Sequence, residues 1–274
     1  MDSMCGRFAV TTDPAKLAAE IDAVNEVPAA PPTPDDQTSA KQPSPDKSGT
    51  DQAPRTLGTN YNVAPTSTIL TVVERHSHDD PHDDPRLRVR AMRWGLVPTW
   101  AKEVGKGPLL FNARAETAAE KSSFRSSVKS KRCLVPMDGW YEWKPGPENS
   151  PRPGKSKGKP TKIPFFMSPK DGTRLFMAGL WSAWHDPTDP DAPPLLSCTI
   201  LTTDAVGDLR EVHDRMPRIM PYDSWDAWLD PDHPAPSELF APPSEAIADA
   251  IAIREVSPLV NRVANNGPEL LAPV

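Results

Sequence analysis

The 35 prolines in this chain constrain its fold more than any other feature. Proline fixes φ and removes a backbone donor, so it ends helices and is kept out of central strands. They gather where hydrophobic periodicity disappears, and four stretches read as insertions. Residues 28–55 are rich in Pro, Asp, Ser and Thr with no large apolar side chain, so they bury too little surface to offset the entropy of ordering and are expected to be disordered. Residues 76–85 are rich in Asp, His and Pro, 145–162 are basic with Pro and Gly, and 185–194 repeat Asp-Pro. No internal repeat is visible. Between these breaks only short strands and short helices fit.

Asp13-Pro14 reads as an N-cap followed by proline at the first helical position, with Leu17, Ile21 and Val24 at helical spacing. Strands are predicted over 68–74 and 87–94, the latter with Leu87, Val89 and Ala91 on one side and Arg88 and Arg90 on the other. A helix is predicted over 116–130 with Phe124 and Val128 inward. Further strands are expected over 132–144, 164–168, 174–184 and 195–203, the first two joined across the 145–162 insertion. Helices are expected over 205–212, 222–229 and 244–252. Strands interleaved with helices and far apart in sequence favour a single α+β domain on an antiparallel, curved or barrel-like sheet with peripheral helices, over a parallel βαβ fold.

The chain has 274 residues, and Cys5, Cys133 and Cys198 stand far apart, which gives neither a disulfide framework nor a cysteine-rich zinc site. His76, His78 and His82 lie among Asp79, Asp80, Asp83 and Asp84, but a run without preorganised geometry reads as an acidic loop, so no metal or other cofactor is expected. With no leader and no long apolar run, a cytoplasmic location without membrane contact is expected. The formal net charge of -6 argues against nucleic acid. Yet the segment from Arg86 to Cys133 sets twelve cations against Glu103, Glu116 and Glu120, a local excess that a basic groove or a solvated face would explain equally well.

Cys5 follows Met4, and removal of the residues up to Met4 would leave it with a free α-amine beside its thiol. The two groups have ordinary pKa values of about 7.7 to 8.0 and about 8.5, so both nucleophiles are accessible near neutral pH. Together they trap an aldehyde: the amine forms a Schiff base and the thiolate closes it to a thiazolidine. Met1-Asp2-Ser3 stands in the way, which suggests a start at Met4 or a self-removed leader. A buried cysteine at the start of the first strand is the competing reading. Elsewhere, Arg93 to Trp100 mixes two Trp with cations, as single-strand binders do. Asn112 and Arg114 share one side if extended. Glu142 sits between Tyr141 and Trp143, and His213 closes a predicted helix.

In this order the blocks Met4-Cys5-Gly6-Arg7-Phe8, Tyr61 to Pro65, Met92 to Trp100, Asn112-Ala113-Arg114, Asp138 to Lys144, Met177 to Trp181, Thr199 to Thr203, His213 to Pro217 and Val256 to Val274 resemble the SRAP family, the SOS-response-associated peptidases. The resemblance covers nearly the whole chain, 4–274, and implies a curved antiparallel sheet with a basic DNA channel. It also implies a DNA-damage enzyme that captures abasic sites in single-stranded DNA as a covalent thiazolidine crosslink, with autopeptidase or lyase activity. Carried over, Cys5 is the nucleophile, Asn112 holds it, Glu142 shuttles protons and His213 lies against the sugar or phosphate. Arg7 and Arg114 would clamp phosphates, Trp100 with Pro65 and Asn62 would stack or wedge bases, and Thr202 would line the site. The resemblance further implies a monomer, nucleoid-associated when bound. Two departures are visible: three residues precede Met4, and Thr99-Trp100-Ala101 carries one Trp where some relatives carry two. A thiol peptidase using Cys5 with His213 or Glu142, and a non-catalytic single-stranded DNA-binding module, are the alternatives.

Overall fold

The computed structural model describes residues 6–28, 57–77, 80, 82–146 and 162–274. The expectations for Met1 to Cys5, for nearly all of 28–55 and 145–162, and for His78 and Asp79 lie outside them. The strands are β1 (Arg7–Val10), β2 (Val24–Asn25), β3 (Asn60–Val63), β4 (Thr68–Arg75), β5 (Arg86–Trp94), β6 (Asn112–Arg114), β7 (Arg132–Met137), β8 (Gly139–Pro145), β9 (Lys162–Pro169), β10 (Leu175–Trp184), β11 (Leu195–Asp204), β12 (Arg215–Pro217) and β13 (Ile251–Glu255). The helices are α1 (Pro14–Glu20), α2 (Arg125–Ser130), α3 (Trp225–Leu229) and α4 (Glu245–Asp249), with short 3₁₀ turns between.

Two sheets result. One runs β13-β9-β8-β1-β3 and the other β12-β11-β10-β7-β4-β5-β2, with β6 added beside β11. The second closes on itself, because β11 also pairs with β5 through Ser197↔Arg93 and Cys198↔Trp94, and a closed ring has no free edge. β5, β4, β7, β10 and β11 therefore form a barrel. The expected barrel-like α+β sheet is present, and most ladders are antiparallel. Closure itself uses parallel pairings, since β2·β5, β11·β5 and β11·β6 run parallel. Gly179 lets β10 sit tightly between β7 and β11: a Cβ there would lie 2.9 Å from both Cys133 Sγ and the Thr199 carbonyl.

Three apolar clusters follow from strand alternation. Phe8, Val73, Met92, Trp94, Cys133, Val135, Trp140, Trp181 and Cys198 pack between the two sheets. Leu17, Val72, Val89, Leu134, Leu180 and Trp228 pack on the outer barrel face, with α1 and α3 contributing. Ala9, Tyr141 and Phe166 are covered by Val256, Val260 and Leu270 from the C-terminal segment.

Local chemistry explains where elements start and stop. Asp13 Oδ1 accepts from Lys16 N at 2.9 Å and opens α1 with Pro14 in its first turn, as expected. The helix predicted over 116–130 is broken instead. Residues 115–117 form a 3₁₀ turn and only Arg125–Ser130 is α-helical, because Ser122-Ser123 are weak helix formers and the Lys121 carbonyl accepts from both Phe124 N and Arg125 N. Phe124 is buried and Val128 packs against the outer cluster. The strand predicted over 132–144 is two, split at Asp138, which takes a hydrogen bond from Arg174 Nη1 at 2.6 Å while its N–H donates to the Ala9 carbonyl. The expected pairing across the insertion holds, with Pro145 opposite Lys162. In place of the helix expected over 205–212 there is a 3₁₀ turn at Gly207–Glu211, 222–229 is a 3₁₀ turn leading into α3, and 244–252 give α4 followed by β13. Ile251 and Ile253 are drawn into strand form by packing against the inter-sheet cluster.

Candidate active site and nucleic-acid surface

The first described strand runs out toward a buried carboxylate. β1 pairs with β8 through Arg7↔Tyr141, Phe8↔Trp140 and Ala9↔Gly139, and one further step of this register sets Gly6, the first described residue, level with Glu142. Glu142 is buried, opposite Phe165 of β9. Phe8 packs edge-on against Trp94 at 5.1 Å, and Trp94 against Phe111 at 5.9 Å. Trp94 Nε1 also donates to the Phe111 carbonyl at 2.8 Å. This aromatic chain links β1 to the residue before Asn112.

Arg7 and Asn62 sit differently from the expected DNA contacts. Arg7 Nη1 donates to Asn62 Oδ1 and to the Val260 carbonyl, both at 2.9 Å. Burial lowers the Arg7 pKa, and a nearby Tyr141 works against that; burial also pushes the Tyr141 hydroxyl up. Asn62 is buried, and its Nδ2 lies within hydrogen-bond distance of the carbonyls of Val260, Arg262 and Asn265. An amide spent this way has no face left for a base, so Asn62 acts as an anchor for the C-terminal segment. Pro65 is half-buried in the turn after β3, followed by Thr66 at φ 78°.

On the other side, β6 lies parallel to β11 with Ile200↔Asn112 and Thr202↔Arg114, and β12 lies beyond with Thr202↔Pro217. Thr202 is fully buried and its hydroxyl donates to the Ala113 carbonyl at 3.4 Å, so the side chain expected to line the site braces β6 on β11. Arg114 is exposed at the end of β6. His213 is largely buried, at 14 % side-chain exposure, just before β12. Its Nδ1 accepts from Arg215 N at 3.0 Å and also lies 2.9 Å from Asp214 Oδ1. One nitrogen cannot accept from an amide and donate to a carboxylate at once. The amide is fixed by the backbone whereas Asp214 is 88 % exposed, so the amide bond sets the tautomer and leaves the proton on Nε2, available as a donor.

Arg215 was missed in the sequence. It grips Glu116 with two bonds of 2.7 and 2.9 Å, Asp204 at 2.5 Å and the Thr202 carbonyl at 2.7 Å, tying β11, β12 and the turn after β6. Burial works to raise the Glu116 pKa, but the Arg215 bonds prevail and hold it below its ordinary value. The signal was there as opposite charges, Glu116 two residues after Arg114 and Arg215 two residues after His213, but nothing in one dimension paired them.

Trp100 is 63 % exposed, on a loop with Lys102 and Lys106. The basic excess around it is smaller at the surface than in the sequence. Arg88 and Arg90 each pair with Glu26 at 2.5 Å. Arg132 is buried and donates to the carbonyls of Val128, Lys129, Trp228, Asp230 and His233. Arg114, Lys121, Arg125 and Lys129 remain exposed. No helix among the described residues is long and apolar enough to cross a membrane.

These features define an α+β barrel protein whose first strand pairs with a strand that carries a buried carboxylate. A family profile described as SOS response associated peptidase (SRAP) matches residues 4–263, and the chain belongs to that family. It is 38% identical over 212 residues to the abasic site processing protein YoqW of Bacillus subtilis, spanning 77% of this chain and 85% of YoqW. It is 33% identical over 242 residues to the abasic site processing protein HMCES of Gallus gallus, spanning 78% and 66% of the two chains. The fold matches a crystal structure of a protein from Bacteroides thetaiotaomicron with a TM-score of 0.70 at 21% identity, covering 98% of this chain and 100% of that one.

Proposed function

We propose that this protein, a single SRAP domain over 4–274, processes abasic sites in single-stranded DNA by forming a thiazolidine crosslink through Cys5. The observation that carries the proposal is the β1·β8 register, which directs the chain toward Glu142 in a family whose relatives are named abasic site processing proteins. The abasic sugar in its open form is an aldehyde. The Cys5 amine adds to that carbon and a molecule of water leaves, giving an imine. The thiolate then adds to the same carbon, the imine nitrogen takes up a proton, and the five-membered ring closes with no redox change. Glu142 accepts a proton from the amine and returns one to the departing hydroxyl. Asn112 orients Cys5, and the Nε2–H of His213 donates to the sugar or its phosphate. Arg114 holds a flanking phosphate, Arg7 sets the path of the first strand, and Trp100 with Pro65 covers the exposed bases.

The required amine favours a second activity on the same residue. Residues Met1 to Met4 precede Cys5 and must be removed before the ring can close, which agrees with the peptidase in the family's description. Glu142→Gln tests the chemical role: shape is kept and proton transfer is lost, so crosslinking to an abasic oligonucleotide should slow about 100-fold to 10,000-fold with unchanged affinity for undamaged DNA. A wild-type rate in gel-resolved single-turnover reactions would remove Glu142 from the chemistry.

A further inference from the structure

The end of the barrel away from Thr202 carries a second cluster of charge. In the β4·β5 ladder Thr71 faces Arg90, Val73 faces Arg88 and Arg75 faces Arg86, so a row of guanidiniums shares the face of Val73 and Met92, where β4 ends and β5 begins. Trp181 of β10 lies there, opposite Cys198. The Arg75 guanidinium stands 4.7 Å and the Lys131 ammonium 5.4 Å from the Trp181 ring centroid. Glu26, divided between Arg88 and Arg90, is the carboxylate bonded to this row, and Asp80, Asp83 and Asp84 lie on the loop that joins β4 to β5. Arg75 and Lys131 take no share of Glu26. Glu74, next to Arg75 in sequence, points to the opposite face, where it feels Asp226, Asp230 and Asp232.

Such an arrangement is costly without an anion. Arg75 and Lys131 are half-buried, and among the described residues neither side chain has a carboxylate or carbonyl partner. Burial lowers the pKa of both, and the charges bearing on them are repulsive, from Arg90 on Arg75 and from Arg75 on Lys131. The face of the Trp181 ring attracts both cations, which offsets part of that repulsion and holds both side chains in place. A planar guanidinium and a point-charge ammonium on one ring suit a tetrahedral oxyanion. Trp181 itself is buried and offers no face on which a base can stack.

We propose that Arg75, Arg90 and Lys131 around Trp181 form a phosphate-binding site at the barrel end remote from β12. Cys198, beside Trp181, and Thr202 are four residues apart on β11, roughly 13 Å at the rise of a strand, so this site lies away from the β6·β11·β12 face that carries Arg114 and His213, and it does not depend on the abasic-site reading. The phosphate belongs either to a nucleic-acid backbone or to a free phosphate compound.

Acylation of Lys131 in the full-length protein, read by mass spectrometry, tests the site without a variant. Inorganic phosphate should protect Lys131, chloride at equal ionic strength should not, and Arg75→Gln should abolish the protection. An undamaged single-stranded oligonucleotide distinguishes the sources. A backbone phosphate predicts protection by the oligonucleotide, and a salt dependence of its binding that flattens by about 0.7 per lost contact in the Arg75→Gln, Lys131→Gln double variant. Protection by phosphate alone, with an unchanged slope, assigns the site to a free phosphate compound. Equal protection by chloride, or none by phosphate or oligonucleotide, overturns the proposal.

Discussion

Asn62 spends its entire amide inside the protein, with its oxygen on Arg7 and its nitrogen facing three carbonyls of the C-terminal segment. Replacing it with alanine leaves those carbonyls and the Arg7 guanidinium short of partners in a buried setting, each such group costing about 1–3 kcal/mol. Asn62→Ala should therefore lower Tm markedly, by about 2–4 °C for each kcal/mol lost in a domain of this size, and it should loosen the segment around Val260. Thermal unfolding followed by circular dichroism checks this, and an unchanged Tm would mean that the anchor carries no net stability. The residue was visible in the sequence as part of Tyr61 to Pro65. Its partners within the fold were not legible, because an Asn in a motif next to aromatics and Pro looks the same whether its partners are bases or carbonyls far along the chain.

At the scale of elements, Glu26 joins the chain after β2 to β5 through Arg88 and Arg90. Burial works to raise the Glu26 pKa, yet the hydrogen bonds from Arg90 and Arg88 prevail and hold it below its ordinary 4.5. The folded chain then binds this proton less readily than the unfolded one. The clasp contributes fully above about pH 4.5 and is lost as pH falls through the lower folded value. Glu26→Gln should thus be less stable than wild type at pH 7, with the gap narrowing toward pH 3. Urea midpoints at the two pH values measure it, and a gap that stays constant with pH would contradict the clasp. β5 was legible from its alternation of apolar and charged residues, and β4, β10 and β11, buried along most of their length, from short apolar runs between breaks, both of which are local signals. The short strands β2, β3, β6 and β12 were not, since each exists only through a partner far away in sequence. The 116–130 helix failed for the same reason: its apolar residues had the right spacing, but the middle turn found better hydrogen bonds.

For the whole molecule, the barrel separates three kinds of work. The inter-sheet core fixes β1 against β8, the outer face carries the helices, and the C-terminal segment closes over Ala9 and Tyr141 from behind. The proposal of Glu142, Asn112 and His213 as a set comes from the resemblance of ordered blocks. The structure adds the frame that the blocks build, in Phe8–Trp94–Phe111 and in Arg215 with Glu116 and Asp204. Arg132 shows why charge counting overstated the groove, because a cation inside the fold looks like a cation on its surface until the chain is folded.

The central claim is that Cys5 reacts through its own α-amine and thiol together. Protein beginning at Cys5, mixed with an oligonucleotide containing one abasic site, should give a heat-stable adduct whose intact mass equals protein plus oligonucleotide minus one water. Tandem mass spectrometry should place the link on Cys5. A form that retains Met1 to Met4 should give none until those residues are removed. Equal crosslinking by the form that still carries Met1 to Met4 would contradict thiazolidine chemistry at Cys5.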